Sequence, residues 1–170
     1  MSGIRPALAL FVAIASLIGW PPAAHAAANP KVAIIVGATH STTDRYRSNA
    51  DQIYAAARRY TTNVVKVYSP NATWSKVKSA VAGASIIVYL GHGNGWPSPY
   101  TFDPNYTTKD GFGLNYDVNG NGRLSDDEVK YYGEPSIREL QPAPNAVVLL
   151  FHLCYASGNS EPGRAEPSLS

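Results

Sequence analysis

Two hydrophobic runs each end in a side chain that can take part in acyl transfer. Ser85-Ile-Ile-Val-Tyr-Leu-Gly91 leads into His92 and Gly93, and Ala146-Val-Val-Leu-Leu-Phe-His152-Leu leads into Cys154, the single cysteine of the chain. Such runs read as buried parallel strands, and in open α/β sheets ligands gather beyond the carboxyl ends of the strands. Neighbouring strands lie about 4.8 Å apart, so side chains leaving two adjacent strand ends can meet across one small gap. An imidazole beside a thiol is a general base beside a nucleophile, because the thiolate is the reactive form. Gly91 and Gly93 let the chain turn sharply around His92, and the amides near Gly93 and Cys154 can receive a developing oxyanion. Taken singly, each residue has a plainer reading: a strand-end histidine against backbone, and a cysteine acting as a small buried hydrophobe. A zinc site from His92, His152 and Cys154 is a further alternative, lacking a fourth ligand at a recognisable spacing.

The second chemical signal is local. Residues 117–128 match every side-chain position of the twelve-residue EF-hand loop: Asp117, Asn119, Asn121 and Ser125 at alternate positions, the carbonyl of Arg123 at the seventh, and Glu128 closing the ring. Gly122 supplies the sharp turn. The competing reading is a pair of turns, Asn119-Gly120 and Asn121-Gly122, which leaves Asp117 and Glu128 in register unexplained. The expected ion is Ca²⁺. With two formally charged ligands, affinity falls in the range of extracellular modules, about 0.1–1 mM, and the expected role is structural. No entering helix precedes the loop, and an exit helix is expected from about Ser125 to Tyr131, ended by Gly133-Glu-Pro135.

The elements that must position these residues follow from the pattern. Lys31–Val36 reads as a first strand. Ala50, Ile53, Tyr54 and Ala57 mark an amphipathic helix, with Arg58 and Arg59 near its end. Thr62–Tyr68 is a second strand. Asn71 reads as the cap of a second helix with Trp74, Val77, Val81 and Ala84 on its apolar face, followed by the strand that ends at His92. This β-α-β-α-β order predicts a three-layer α/β fold: a mostly parallel sheet of about four strands, right-handed crossovers, helices on both faces and a long loop inserted after the third strand. The stretch from Asn94 to Tyr116 has no sustained period and reads as that loop, pinned by Trp96, Tyr100, Phe102 and Tyr106. Asp44, Arg45 and Arg47 read as a solvated polar loop after the first strand.

At 170 residues and a formal net charge of +2, the chain holds one domain and shows no basic run that would suggest nucleic acid or an anionic membrane. Residues 1–26 read as a signal peptide: Arg5, then an apolar stretch from Ala7 to Gly19, then Ala24-His25-Ala26 as a cleavage pattern. The expected location is secreted, periplasmic or cell-envelope, with no membrane attachment after cleavage. The domain is then residues 27–170, with an insertion at 94–132 that carries the loop 117–128.

The pairing of a strand ending in His92-Gly93 with a later strand ending in Cys154, followed by Ser157-Gly158, resembles the caspase-like cysteine peptidases, the group of caspases, metacaspases, legumains and gingipains. The similarity covers about residues 31–160 and includes the order of elements. It implies that Cys154 is the nucleophile, His92 the general base, and a peptide or protein the substrate. The Ser-Gly pair comes one residue later than is usual, and sixteen residues follow Cys154. A parallel crossover needs a dozen or more residues, so the domain reads as C-terminally incomplete and its peptidase activity as reduced or lost. The expectation is therefore an exported cysteine peptidase-like protein with a Cys-His dyad and a structural calcium loop. A noncatalytic secreted calcium-binding protein is the alternative.

Overall fold

The computed structural model describes residues 29–94 and 111–154. The signal peptide, the four loop aromatics, Ser157-Gly158 and the C-terminal tail lie outside the described residues.

Five-residue runs of β-branched and aliphatic residues form the main sheet: β1 (Val32–Val36), β2 (Val64–Tyr68), β3 (Ile86–Leu90) and β7 (Val147–Phe151). All pair in parallel, in the order β2-β1-β3-β7. Side chains alternate between faces with period two, so β1 feeds two cores at once. Val32, Ile34 and Val36 pack with Val88, Leu90, Tyr46 and Ala50 beneath α1 (Thr43–Ala57), whereas Ala33 and Ile35 pack with Ile87, Tyr89, Val77 and Val81 beneath α2 (Trp74–Val81). The chain is an α/β protein with one helix on each face of a parallel sheet.

The segment between β3 and β7 departs from the sequence reading. It contributes a second, three-stranded antiparallel sheet of β4 (Gly93–Asn94), β5 (Gly111–Asn115) and β6 (Val129–Tyr132), in the order β4-β5-β6. β5 was hidden by its glycines. Its two apolar residues, Phe112 and Leu114, alternate and enter the α2-side core, where Phe112 stacks on Tyr89 at 4.1 Å. The expected helix from Ser125 to Tyr131 is absent. A turn occupies residues 126–127, and the β-branched and aromatic run Val129-Lys-Tyr-Tyr132 pairs with β5 instead. Gly133-Glu-Pro135, expected to end that helix, begins a short one: α3 (Glu134–Ile137) has Gly133 as its N-cap and Pro135 in its first turn, where a missing N–H costs nothing.

Two smaller expectations also change. Thr73, in extended backbone, rather than Asn71, is the N-cap of α2. α1 ends at Ala57, so Arg58 is its C-cap and the last turn carries no basic residue; Arg58 instead donates to the carbonyl of Thr62.

The strand β7 has one paired neighbour among the described residues. In parallel register Val147, Leu149 and Phe151 share the α1 side with Ile86, Val88 and Leu90, but α1 lies mainly over β1 and β2, and a cavity separates Ile53 and Ala56 from Phe151. Val147, Val148, Leu149 and Phe151 are between 41 and 52 % exposed, and the strand has no charge or proline to discourage pairing with another chain. The purified protein should self-associate with rising concentration. Leu149→Lys should weaken that association by about tenfold or more in sedimentation velocity, since a lysine on an edge strand opposes strand addition; a wild-type protein monomeric at every concentration would contradict this.

Candidate functional site

His92 lies just past the end of β3 and Cys154 lies three residues past the end of β7, on adjacent parallel strands in register at Leu90 and Phe151. Their approach is set by backbone. Tyr89, fully buried at the end of β3, places its hydroxyl 2.8 Å from the carbonyl oxygen of His92 and 3.0 Å from that of Gly113. The Gly113 N–H also donates to the His92 carbonyl at 2.9 Å. Burial pushes the Tyr89 hydroxyl far above its ordinary pKa, so it stays a donor.

Gly93 packs directly against the segment that follows β7. A side-chain carbon there would lie 2.1 Å from the carbonyl oxygen of Cys154 and 2.4 Å from Leu153 Cδ1. Gly37, beyond β1, meets the same condition against the Gly113 carbonyl at 2.1 Å. Any larger residue at either position would push β4 or β5 off the carboxyl edge of the sheet. Tyr131 of β6 completes the surround: one of its ring carbons and the His92 Cβ both lie just over 3 Å from where a Gly113 side chain would begin. Burial, and then the charge of Cys154, push its hydroxyl up. The structure thus brings His92, Gly93, Tyr131 and Cys154 to one place.

The ring of His92 is partly buried, and its pKa falls below the ordinary value, first through desolvation and then through the nearby His40. At neutral pH it is an uncharged imidazole, the form that can accept a proton. Cys154 is exposed.

His152 is not part of this arrangement. The strand ends at Phe151, and His152 adopts a positive φ of 56° that turns its ring onto Tyr46 of α1, stacked at 4.9 Å. Two residues apart, His152 and Cys154 would share a side, as the zinc alternative needs, only if the strand continued, and it does not. Among the described residues no three His, Cys, Asp or Glu side chains converge to hold a metal, which leaves the zinc alternative without support.

His40 was missed in the sequence. It follows β1 at the same carboxyl edge, and its ring centroid lies 5.7 Å from that of His92. The signal was available, because the strand-end rule applied to β3 and β7 applies equally to β1. Arg47 was misplaced as well. It sits in α1 rather than a solvated loop, and its guanidinium takes both oxygens of Asp126 at 2.5 and 2.6 Å, while its Nε donates to the Ser69 carbonyl.

The residues of the loop 117–128 are drawn together by their own hydrogen bonds. Asp117 accepts from the N–H groups of Asn121 and Gly122, Asn119 from that of Asn121, and Asn121 from that of Arg123. Glu128, at the far end, accepts from Asn119 Nδ2 at 2.7 Å and from Ser125 Oγ at 3.1 Å. The loop closes on itself with Asp117, Asn119, Asn121, Ser125 and Glu128 as its oxygen-bearing residues, and Gly120 and Gly122 hold positive φ. Glu128 enters this ring from a residue that precedes β6, not from a helix.

No family model, curated protein or solved structure matches the chain.

The depressed pKa of His92 fixes a sign. Between its folded pKa and about 6.5, the value for an unperturbed histidine, the unfolded chain binds more protons, so stability is fully present above about pH 6.5 and declines as pH falls through that window. His92→Gln should flatten this part of the denaturation-midpoint profile. A slope identical to wild type would mean that the imidazole titrates normally.

Proposed function

We propose that this protein is an exported cysteine peptidase of caspase-like type, or a descendant of one, in which Cys154 is the nucleophile and His92 the base. The observation that carries this reading is the position of the two residues just beyond the carboxyl ends of adjacent parallel strands, with Gly93 packed directly against the Cys154 carbonyl and the Leu153 side chain. In the proposed reaction His92 accepts the thiol proton, and the sulfur attacks a peptide carbonyl carbon. The C–N bond then breaks as His92 returns the proton to the leaving amine. Water, deprotonated by the same imidazole, cleaves the thioester and restores the thiol. Backbone amides beside Gly93 are the candidates for stabilising the oxyanion.

A noncatalytic calcium-binding protein with the sheet as scaffold is the second reading. One observation favours it: no hydrogen bond joins the Cys154 thiol to the His92 ring among the described residues, though such bonds often tighten only with substrate bound. Iodoacetamide distinguishes the two. Cys154 should be alkylated in the folded protein at neutral pH, and His92→Ala should slow that reaction on the order of tenfold by removing the proton acceptor. An alkylation rate indifferent to His92 supports the scaffold reading.

In both readings residues 117–128 hold Ca²⁺ through Asp117, Asn119, Asn121, the Arg123 carbonyl, Ser125 and Glu128. The donor set supports this, being all oxygen, and neither Asp117 nor Glu128 makes an ion pair among the described residues. The ion would supply a rigid closure of the loop and no chemistry at Cys154. At about 10 mM Ca²⁺ and a Kd of about 1 mM, the gain in stability is about 1.4 kcal/mol. Glu128→Gln should remove this gain in a thermal melt; an equal calcium shift in wild type and variant would show that the loop is only a turn.

A further inference from the structure

We infer that His40 is a positioning residue for the His92 imidazole, and that the Ser125–Asp127 segment of the acidic loop fixes where His40 stands. As part of a reaction this rests on the Cys154–His92 reading, but the contact itself does not.

His40 is held in an unusual place. Its φ of 52° lies in the left-handed region, which few residues other than glycine adopt. The contacts that hold it there come from the loop. The His40 N–H donates to the Asp126 carbonyl at 3.0 Å, and His40 Nδ1 lies 3.3 Å from Asp127 Oδ1. The second contact is exposed on both sides and contributes little energy, so its effect is on the orientation of the ring.

The segment is itself fastened to the main domain on three sides. Arg47 of α1 grips both Asp126 oxygens, and Ser69 Oγ, just past β2, donates to Asp126 Oδ1 at 2.6 Å. Asn115, fully buried at the end of β5, donates to the Ser125 carbonyl at 2.7 Å and accepts from the Ala72 N–H. These contacts fall at the ninth to eleventh positions of the loop; Ser125 is held through its carbonyl, which leaves its hydroxyl to the proposed ion, and Asp126 and Asp127 are not proposed ion ligands. Asp126 and Asp127 therefore have a separate task, which is to place His40.

The ring so placed packs tilted against His92, at an interplanar angle of 51°. A packed imidazole has fewer rotamers than a free one, and a general base is effective only when its nitrogen is held in reach of the proton it takes. The other groups around His92 are Tyr89 from β3, Tyr131 from β6 and Cys154 beyond β7. Of these, Tyr89 bonds the His92 backbone and leaves the ring unrestrained.

The test uses the full chain. ¹⁵N imidazole spectra report the tautomer of His92 and whether its ring exchanges between rotamers, which a change in global stability alone would not alter. In His40→Ala the His92 resonances should move toward a rotamer and tautomer average, and Cys154 alkylation should slow on the order of tenfold. His40→Gln keeps a planar amide able to bond Asp127 and should restore most of both. Asp127→Ala should move the His92 resonances in the same direction as His40→Ala. Unchanged His92 resonances in His40→Ala overturn the positioning role, and unchanged resonances in Asp127→Ala overturn the loop's part in it. A thiol inert in wild type, with His92 still responding to His40→Ala, overturns the dyad and leaves the positioning contact standing.

Discussion

The carboxyl edge of the sheet depends on the buried hydroxyl of Tyr89. It is a β3 side chain with no exposure, stacked on Phe112, and its oxygen reaches the carbonyls of His92 and Gly113 together. One donor thereby links the end of the central parallel sheet to the middle strand of the small antiparallel one. A buried hydroxyl without an acceptor costs about 1–3 kcal/mol, so both carbonyl-bearing segments are constrained to pass within reach of this oxygen. Gly37 and Gly91 are the accommodation to that constraint, since a side-chain carbon at either would fall within 3 Å of the Tyr89 hydroxyl.

From this link the rest of the edge follows. β5 is drawn across the end of β1, and its last residue, Asn115, is buried and committed to Ala72 and Ser125. That brings the acidic loop alongside α1, where Arg47 meets Asp126. Burial is the largest single influence on the Arg47 pKa and lowers it, but Asp126 and Asp44 together outweigh it, so the guanidinium is held charged, with its pKa above the ordinary value. The inserted segment is thus part of the domain and not an appendage: one end is fastened through Tyr89, the other through Asp126. In contrast, β7 carries the proposed nucleophile on the least covered strand of the sheet.

The fold class was legible because buried parallel strands and amphipathic helices write their periods into the chain. Val32–Val36, Ile86–Leu90 and Val147–Phe151 are continuous apolar runs, Val64–Tyr68 is one broken only by Lys66, and Ala50, Ile53 and Ala57 are spaced for one helical face. The small sheet was not legible for an equally physical reason. β4 has two residues, β5 alternates glycine with its two apolar side chains, and β6 follows an Asp-Asp-Glu run that favours a helix start until pairing with β5 overrides it. In β6 long-range hydrogen bonds outweighed local propensity.

For the site, the sequence by itself determined which reactive and oxygen-bearing side chains were present and roughly where. His92 and Cys154 stand beyond strands because hydrophobic runs end there, and the twelve residues from Asp117 to Glu128 specify their own ring of oxygen donors through contacts no more than nine positions apart. Only the tertiary structure decided which strands are neighbours, that His152 turns away onto Tyr46, and that His40 and Asp127, 87 residues apart, meet beside His92. Those outcomes depend on crossovers and on the φ of single residues past a strand end, where a change of one dihedral redirects a side chain and no periodicity records it.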